Sequence, residues 1–185
     1  MFMNQTDISP TAPDNLPIVY AHELHEAESH GPDEVLDLIV GRISSLCSDR
    51  LDAAALERLN GMQVTLWAYH ILREEVMDGG FIQLIHNGYG PLFFCNPFAK
   101  AMRLIGLKEF SKLVYKAQKL YERYGNEIEQ PMTDEEFMAL YERFEAFDEV
   151  DDAFITEEED ITAFIADYTL NELSTFVHCV DASPL

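Results

Sequence analysis

A chain of 185 residues, 48% of them apolar and 11% aromatic, carries enough hydrocarbon for a real core, and a formal charge of −22 does not place it in the disordered class. That charge argues against nucleic acid and anionic membrane surfaces as direct ligands, because their phosphates would be repelled. The three cysteines (Cys47, Cys95, Cys179) lack CxxC spacing and read as free thiols. No signal peptide or membrane span is evident, so a cytoplasmic protein is expected.

Residues 1–17, with Pro10, Pro13 and Pro17, predict an irregular arm, and 18–185 predict a single all-α domain. A short helical pattern over 18–30 ends at Gly31-Pro32. Val35, Leu36, Ile39, Val40, Ile43 and Leu46 then mark a helix over 33–47. Residues 52–59 are Ala-rich and helical, and Asn60-Gly61 interrupts them. A long helix over 62–77 buries Leu66, Tyr69, Leu72 and Val76, and Asp78-Gly79-Gly80 ends it. A short turn over 81–86 follows, then a helix over 97–105. The next, over 108–124, carries a basic face (Lys108, Lys112, Lys116, Lys119, Arg123) and stops at Gly125. Thr133 with Glu136, and Thr156 with Glu159, have the spacing of capping boxes and predict helices over 134–150 and 157–178. No run alternates with period two, so about seven to nine helices and no strands are expected.

The charge is local. Residues 122–172 hold eighteen acidic and two basic residues, −16 of the total −22. At ~100° per residue, Glu142, Glu145, Glu149 and Asp152 lie within about 100° of Glu135, whereas Phe137, Leu140, Phe144 and Phe147 lie opposite. A disordered tail has no such alternation, so the segment reads as a folded helix with aromatics beneath a row of carboxylates. Carboxylates three or four residues apart on a helix sit ~5–6 Å from one another. That is near the phosphate spacing along one DNA strand, so the row can be read by a basic surface. A plain solvated face, kept acidic for solubility, is the competing reading.

Signals for chemistry are sparse. His22, His25 and Glu26 lack a second ligand pair for a metal, and the DxDxDG loop of an EF-hand is absent. Cys95 with His86 or His70 has the residue types of a nucleophile pair, but the aromatic setting Phe93-Phe94-Cys95 suits a packing thiol. Nucleotide loops and a nucleophile elbow are missing. The chain is therefore read as no enzyme, with no cofactor and no metal.

The run Glu75-Val76-Met77-Asp78-Gly79-Gly80-Phe81-Ile82-Gln83-Leu84-Ile85-His86-Asn87-Gly88-Tyr89-Gly90 resembles the signature of a bacterial DNA-mimic protein family of the nineteen-kilodalton type, with Trp67-Ala68-Tyr69 upstream also fitting. The resemblance spans roughly residues 60–170. It implies an all-α fold whose negative surface imitates duplex DNA and keeps a helix-turn-helix transcription factor from its operator, with no catalytic residues. It assigns the motif to structure: Gly79 and Gly80 as a tight corner, Phe81 as core anchor, Gln83 and Asn87 as backbone caps, and Gly90 as the last motif glycine.

The partner-binding carboxylates expected on this reading are Glu135, Glu142, Glu145, Asp148, Glu149, Asp151, Asp152, Glu157, Glu158, Glu159 and Asp160. The expected partner is a DNA-binding protein, with no direct nucleic-acid or membrane contact, for a monomer or homodimer. Two alternatives stand beside it. One is a small-molecule-binding or catalytic helical domain with a pocket at the Gly79–Gly90 corner. The other is an acidic homo-oligomerisation module, whose 108–123 basic face would pair with the acidic helix within or between chains.

Overall fold

The computed structural model describes residues 16–47 and 51–181. The expectation of an irregular arm therefore falls almost wholly outside the described residues. The elements in order are β1 (Ile18–Tyr20), α1 (Ala21–His30), α2 (Pro32–Ser45), α3 (Ala53–Arg58), α4 (Gly61–His86), α5 (Gly90–Phe94), α6 (Phe98–Ile105) and α7 (Lys108–Ile128). Then come α8 (Asp134–Arg143), a 3₁₀ turn (Glu145–Phe147), α9 (Asp148–Asn171), α10 (Leu173–Phe176) and β2 (His178–Val180). The fold is all-α, with ten α-helices among the described residues rather than seven to nine; the extra ones are short.

Helix α4 is the axis of the molecule. Its apolar residues recur on nearly every side, and Leu66, Trp67, Tyr69, Leu72 and Val76 are all buried. A helix apolar on most sides must be enclosed, and α2, α7 and α9 pack around it. Aromatic rings fill the junctions. Phe110 of α7 meets Tyr69 edge-on with centroids 6.0 Å apart, and lies 5.7 Å from Phe154 of α9. Asn60, read as an interruption, is the N-cap of α4: its side chain accepts from Met62 N and Gln63 N, both at 2.9 Å. Its amide and that of Gln63 donate to Thr175 O and Phe176 O, tying α10 to the start of α4.

Two expectations are corrected in α7 and in the sheet. Gly125 does not stop α7, which runs on to Ile128. Its role is spatial, because the Tyr121 ring lies across it where a Cβ would meet ring carbon at 2.5 Å. Strands do exist: β1 and β2 pair in parallel, Ile18 opposite His178 and Tyr20 opposite Val180. Three residues are too few to show alternation in sequence.

The acidic segment departs most from expectation. Helix α8 ends at Arg143 instead of running to 150, since Phe144 leaves helical geometry (φ −115°, ψ 45°). The break turns Phe144, Phe147 and Val150 all inward, with the Phe144 ring tilted against Tyr124, centroids 4.8 Å apart. Helix α9 then starts at Asp148, not at 157, and ends at Asn171, not at 178. Of the two capping boxes only the first forms. Glu136 N donates to Thr133 Oγ1 (3.3 Å) and Thr133 N to Glu136 Oε2 (2.8 Å). Thr156 sits mid-helix, its hydroxyl donating back to Asp152 O at 2.7 Å.

The two threonines should respond differently. Thr133→Ala should lose about 1 kcal/mol of stability, whereas Thr156→Ala should be neutral or slightly stabilising. Urea denaturation of the two variants checks this, and equal losses would contradict the single continuous α9.

Candidate functional site

The Gly79-Gly80 pair ends the first helical run of α4 after Asp78, as the sequence predicts, and a second run continues to His86. Gly79 (φ −154°, ψ 26°) and Gly80 (φ 70°, ψ −176°) break the hydrogen-bond ladder, and the helix resumes. The Gly80 conformation is open essentially to glycine alone. A Cβ there would also come within 2.5 Å of Asp151 Oδ2. A broken ladder leaves a carbonyl before the break and an amide after it without helical partners. Here the Tyr141 hydroxyl of α8 donates to Gly79 O at 2.9 Å, and Phe81 N donates to Asp151 Oδ1 of α9 at 2.8 Å. The two acidic helices are thereby docked onto one point of the central helix. Phe81 is fully buried, as expected of an anchor.

The polar residues of the motif close a second network. Gln83 Nε2 donates to Asp78 Oδ2 (2.7 Å) and Glu75 Oε2 (3.4 Å), and Asn87 Nδ2 to Glu75 Oε2 (2.7 Å). These side chains bind carboxylates across the kink, so their expected role as backbone caps is corrected. Gly90 is packed under the ring of Tyr121, whose hydroxyl donates to Glu129 Oε1 at 2.8 Å. A cavity of about 760 Å³ near this corner reaches Asn87 and Tyr89, and Trp67, but not Gln83.

The carboxylates divide into two sets. Glu135 and Glu142 on α8, Glu145 in the 3₁₀ turn, and Asp148, Glu149, Asp152, Glu157, Glu159 and Asp160 on α9 are exposed. Glu149 forms an ion pair with Lys116 of α7. The other eight have no cationic partner among the described residues. On α9, Asp148, Asp152 and Glu159 lie within ~40° of one another, and Glu149, Asp160 and Asp167 follow at about 100–120°. Asp167 and Asp134 are exposed carboxylates that the sequence reading missed, and the same angular count finds the first.

Asp151 and Glu158 do not belong to that face. They are seven residues apart and fall at about 300° and 280°, beside Phe154 and Ile165. The Thr156–Glu159 spacing, which suggests a helix start at 157, conceals the register of the single helix from Asp148. Glu158 is only 4% exposed. Its Oε1 accepts from Thr162 Oγ1 at 2.8 Å and pairs with Arg73 Nε of α4. The Thr162 proton is committed to the carboxylate, so the Tyr69 hydroxyl donates to Thr162 at 2.7 Å. Arg73 Nη2 reaches Asp33 Oδ1 of α2 at 2.5 Å. One guanidinium therefore clamps α2, α4 and α9 and fixes the rotation of α9 about its axis. Arg73→Met should cost about 3–5 kcal/mol by leaving Glu158 buried and unpaired, and Arg73→Met with Glu158→Leu should cost clearly less. A double-mutant cycle in urea measures the coupling, and additive losses would show that the pair holds nothing.

Burial raises the Asp151 carboxyl to about 6; the Phe81 amide opposes the rise and the neighbouring Asp148 and Asp152 charges add to it. Burial also raises the Tyr141 hydroxyl, with the Asp151 and Asp78 charges adding to it. A carboxyl that holds its proton more tightly when folded favours the fold below its unfolded value of ~3.9. That stability is lost as the pH rises from ~4 to about 6, and the penalty is complete above it. Asp151→Asn keeps an acceptor for Phe81 N without the charge. It should be more stable than wild type at pH 7.5 by about 1–3 kcal/mol, with the gap closing near pH 4. Thermal melts across this range check it, and a destabilisation independent of pH would contradict it.

Residues 57–172, from the end of α3 through α9, match the model of a family described as DMP19-like protein. Over 126 residues the chain is 35% identical to the DNA mimic protein DMP19 of Neisseria meningitidis serogroup B, which covers 67% of this chain and 76% of that relative. The matched span holds the kinked helix and both acidic helices docked on it, and this chain belongs to the DMP19-like protein family.

Proposed function

We propose that this protein is a DNA mimic: its outward carboxylates occupy the DNA-reading surface of a basic protein, a helix-turn-helix transcription factor, and keep it off its operator. The observation that carries this is the set of exposed carboxylates with no cationic partner among the described residues, held on helices that the core fixes. Glu135, Glu142, Glu145, Asp148, Asp152, Glu157, Glu159 and Asp160 form the contact set. Glu149 contributes less, because Lys116 already neutralises it. Asp151 and Glu158 serve the scaffold and leave the contact set. Within α9, Asp148 and Asp152 stand one turn apart, which sets their Cβ atoms at ~5–6 Å, of the order of the phosphate spacing along one strand. The name of the Neisseria relative supports the same reading. The role is one of interaction and steering, with an affinity that falls as salt rises.

Immobilised protein exposed to a lysate of the source cell at low and at moderate salt should retain a helix-turn-helix protein, and duplex DNA should release it. Glu142→Lys, Glu145→Lys and Asp152→Lys together should weaken that capture by more than roughly tenfold without altering the circular dichroism spectrum. Retention of no DNA-binding protein, or equal capture by the triple variant, would overturn the reading.

A further inference from the structure

Beside the carboxylate row lies an apolar feature that a phosphate mimic does not need. A groove of about 530 Å³ runs between the turn joining α6 to α7 and the flank of α9. Leu107, Phe110, Ile161 and Phe164 give it apolar walls, and Glu157 and Asp160 stand on its α9 rim. Phe164 is 39% exposed, and Leu104, two residues before the turn, is 77% exposed. The wall is rigid. Gly106 caps α6 in the left-handed region (φ 120°), and the Phe164 ring lies against it, 3.2 Å from where a Cβ would stand.

The charge around the groove is one-sided. Glu157 and Asp160 have no cationic partner among the described residues, and Glu109 on the opposite wall is taken by Lys112. Lys108 also stands on that opposite wall. A cation approaching the groove is thus drawn to the α9 rim and repelled from the α7 rim. An occupant that satisfies both features needs an apolar side chain with a basic residue beside it, on the α9 side. An amphipathic helix with a basic face presents such a pair at positions three or four apart.

We propose that this groove is the apolar anchor site for the basic partner. It seats one leucine-sized or larger side chain of a partner helix while an arginine or lysine one turn away binds Glu157 and Asp160. This rests on the basic-partner reading above. It adds that recognition is not electrostatic alone, because the groove selects among basic partners by an apolar side chain that DNA itself would not require.

The test uses two synthetic helical peptides of equal positive charge, one with a leucine among its arginines and one with serine in its place, in fluorescence anisotropy at moderate salt. The intact protein should bind the leucine peptide roughly tenfold tighter, the discrimination that one buried aliphatic side chain supplies. Phe164→Ser should abolish that preference. Glu142→Lys with Glu145→Lys, away from the groove, should weaken both peptides and keep it. Glu157→Gln with Asp160→Gln, both exposed and harmless to folding, should weaken the leucine peptide more than the double lysine variant does. Equal binding of the two peptides by wild type, or a preference that survives Phe164→Ser, overturns the groove and leaves the basic-partner reading standing. Binding of neither peptide overturns both. A dimer in sedimentation that Phe164→Ser breaks, without peptide discrimination, assigns the groove to a second copy and overturns the proposal.

Discussion

Two backbone groups released at the Gly79-Gly80 break organise this molecule. A helix interrupted in its middle must find partners for the freed carbonyl and amide, since burying either unpaired costs about 1–3 kcal/mol. The chain supplies them from Tyr141 and Asp151. Those two residues belong to the two helices that carry most of the acidic surface. The kink is therefore a docking joint: it fixes where α8 and α9 sit relative to α4, and hence relative to each other. The glycines make the joint possible at Gly80 for two reasons, a conformation other residues avoid and the lack of a Cβ where the Asp151 carboxylate must lie. The polar residues of the same motif then hold Glu75 and Asp78 in place around it.

Like charges at i,i+4 cost ~0.2–0.5 kcal/mol per pair on a helix, and α9 has such a pair in Asp148 and Asp152. The repulsion is offset beneath the surface. Phe144, Phe147, Val150, Phe154, Ile161 and Ile165 bury almost completely under the same segment, at about 1.5–3 kcal/mol for each large side chain. The first turn of α9 holds the exposed Asp148 and Glu149, where the helix dipole favours negative charge. Burial and dipole together let a row of carboxylates stay outside without melting the helices that carry it.

How much of this was legible in the sequence follows from which interactions are local. The alternation of Phe137, Leu140, Phe144 and Phe147 with Glu142, Glu145 and Glu149 is local, and the two faces were assigned correctly across a helix break that the periodicity does not show. The buried stripe of α4 and the first capping box were legible for the same reason. The inward turn of Asp151 and Glu158 was not, because it needs the correct start of α9, and the Thr156 spacing pointed to the wrong one. Their partners, Phe81 N and Arg73, lie 70 and 85 residues away, beyond any local pattern. The glycine pair was visible as a corner, but which side chains pair with the carbonyl and amide it frees depends on what packs against it. Gly125 misled for a similar reason: whether a glycine ends a helix or makes room for a ring is decided by the Tyr121 side chain.

The segregation of charge bears on the functional reading. Helix α7 exposes Lys108, Lys112, Lys116, Lys119 and Arg123, enough cations to neutralise much of the acidic face had the fold laid the two together. It does not: among the described residues Lys116 with Glu149 is the single pair that brings an α7 cation to a carboxylate of the α8–α9 face, Arg143 of α8 pairs the other way with Glu127 of α7, and Lys112 turns to Glu109 on its own helix. A face kept acidic for solubility gains nothing from that separation, since dispersed charge serves as well. A face meant to be read gains a field of one sign that steers a cationic partner into register. Because the helices are already folded and clamped by Arg73, the partner need not supply the ordering free energy that a disordered acidic tail would demand. On the mimic reading proposed above, the core and the carboxylates without a cationic partner among the described residues act together: burial on one side of α9 preorganises the charge on the other.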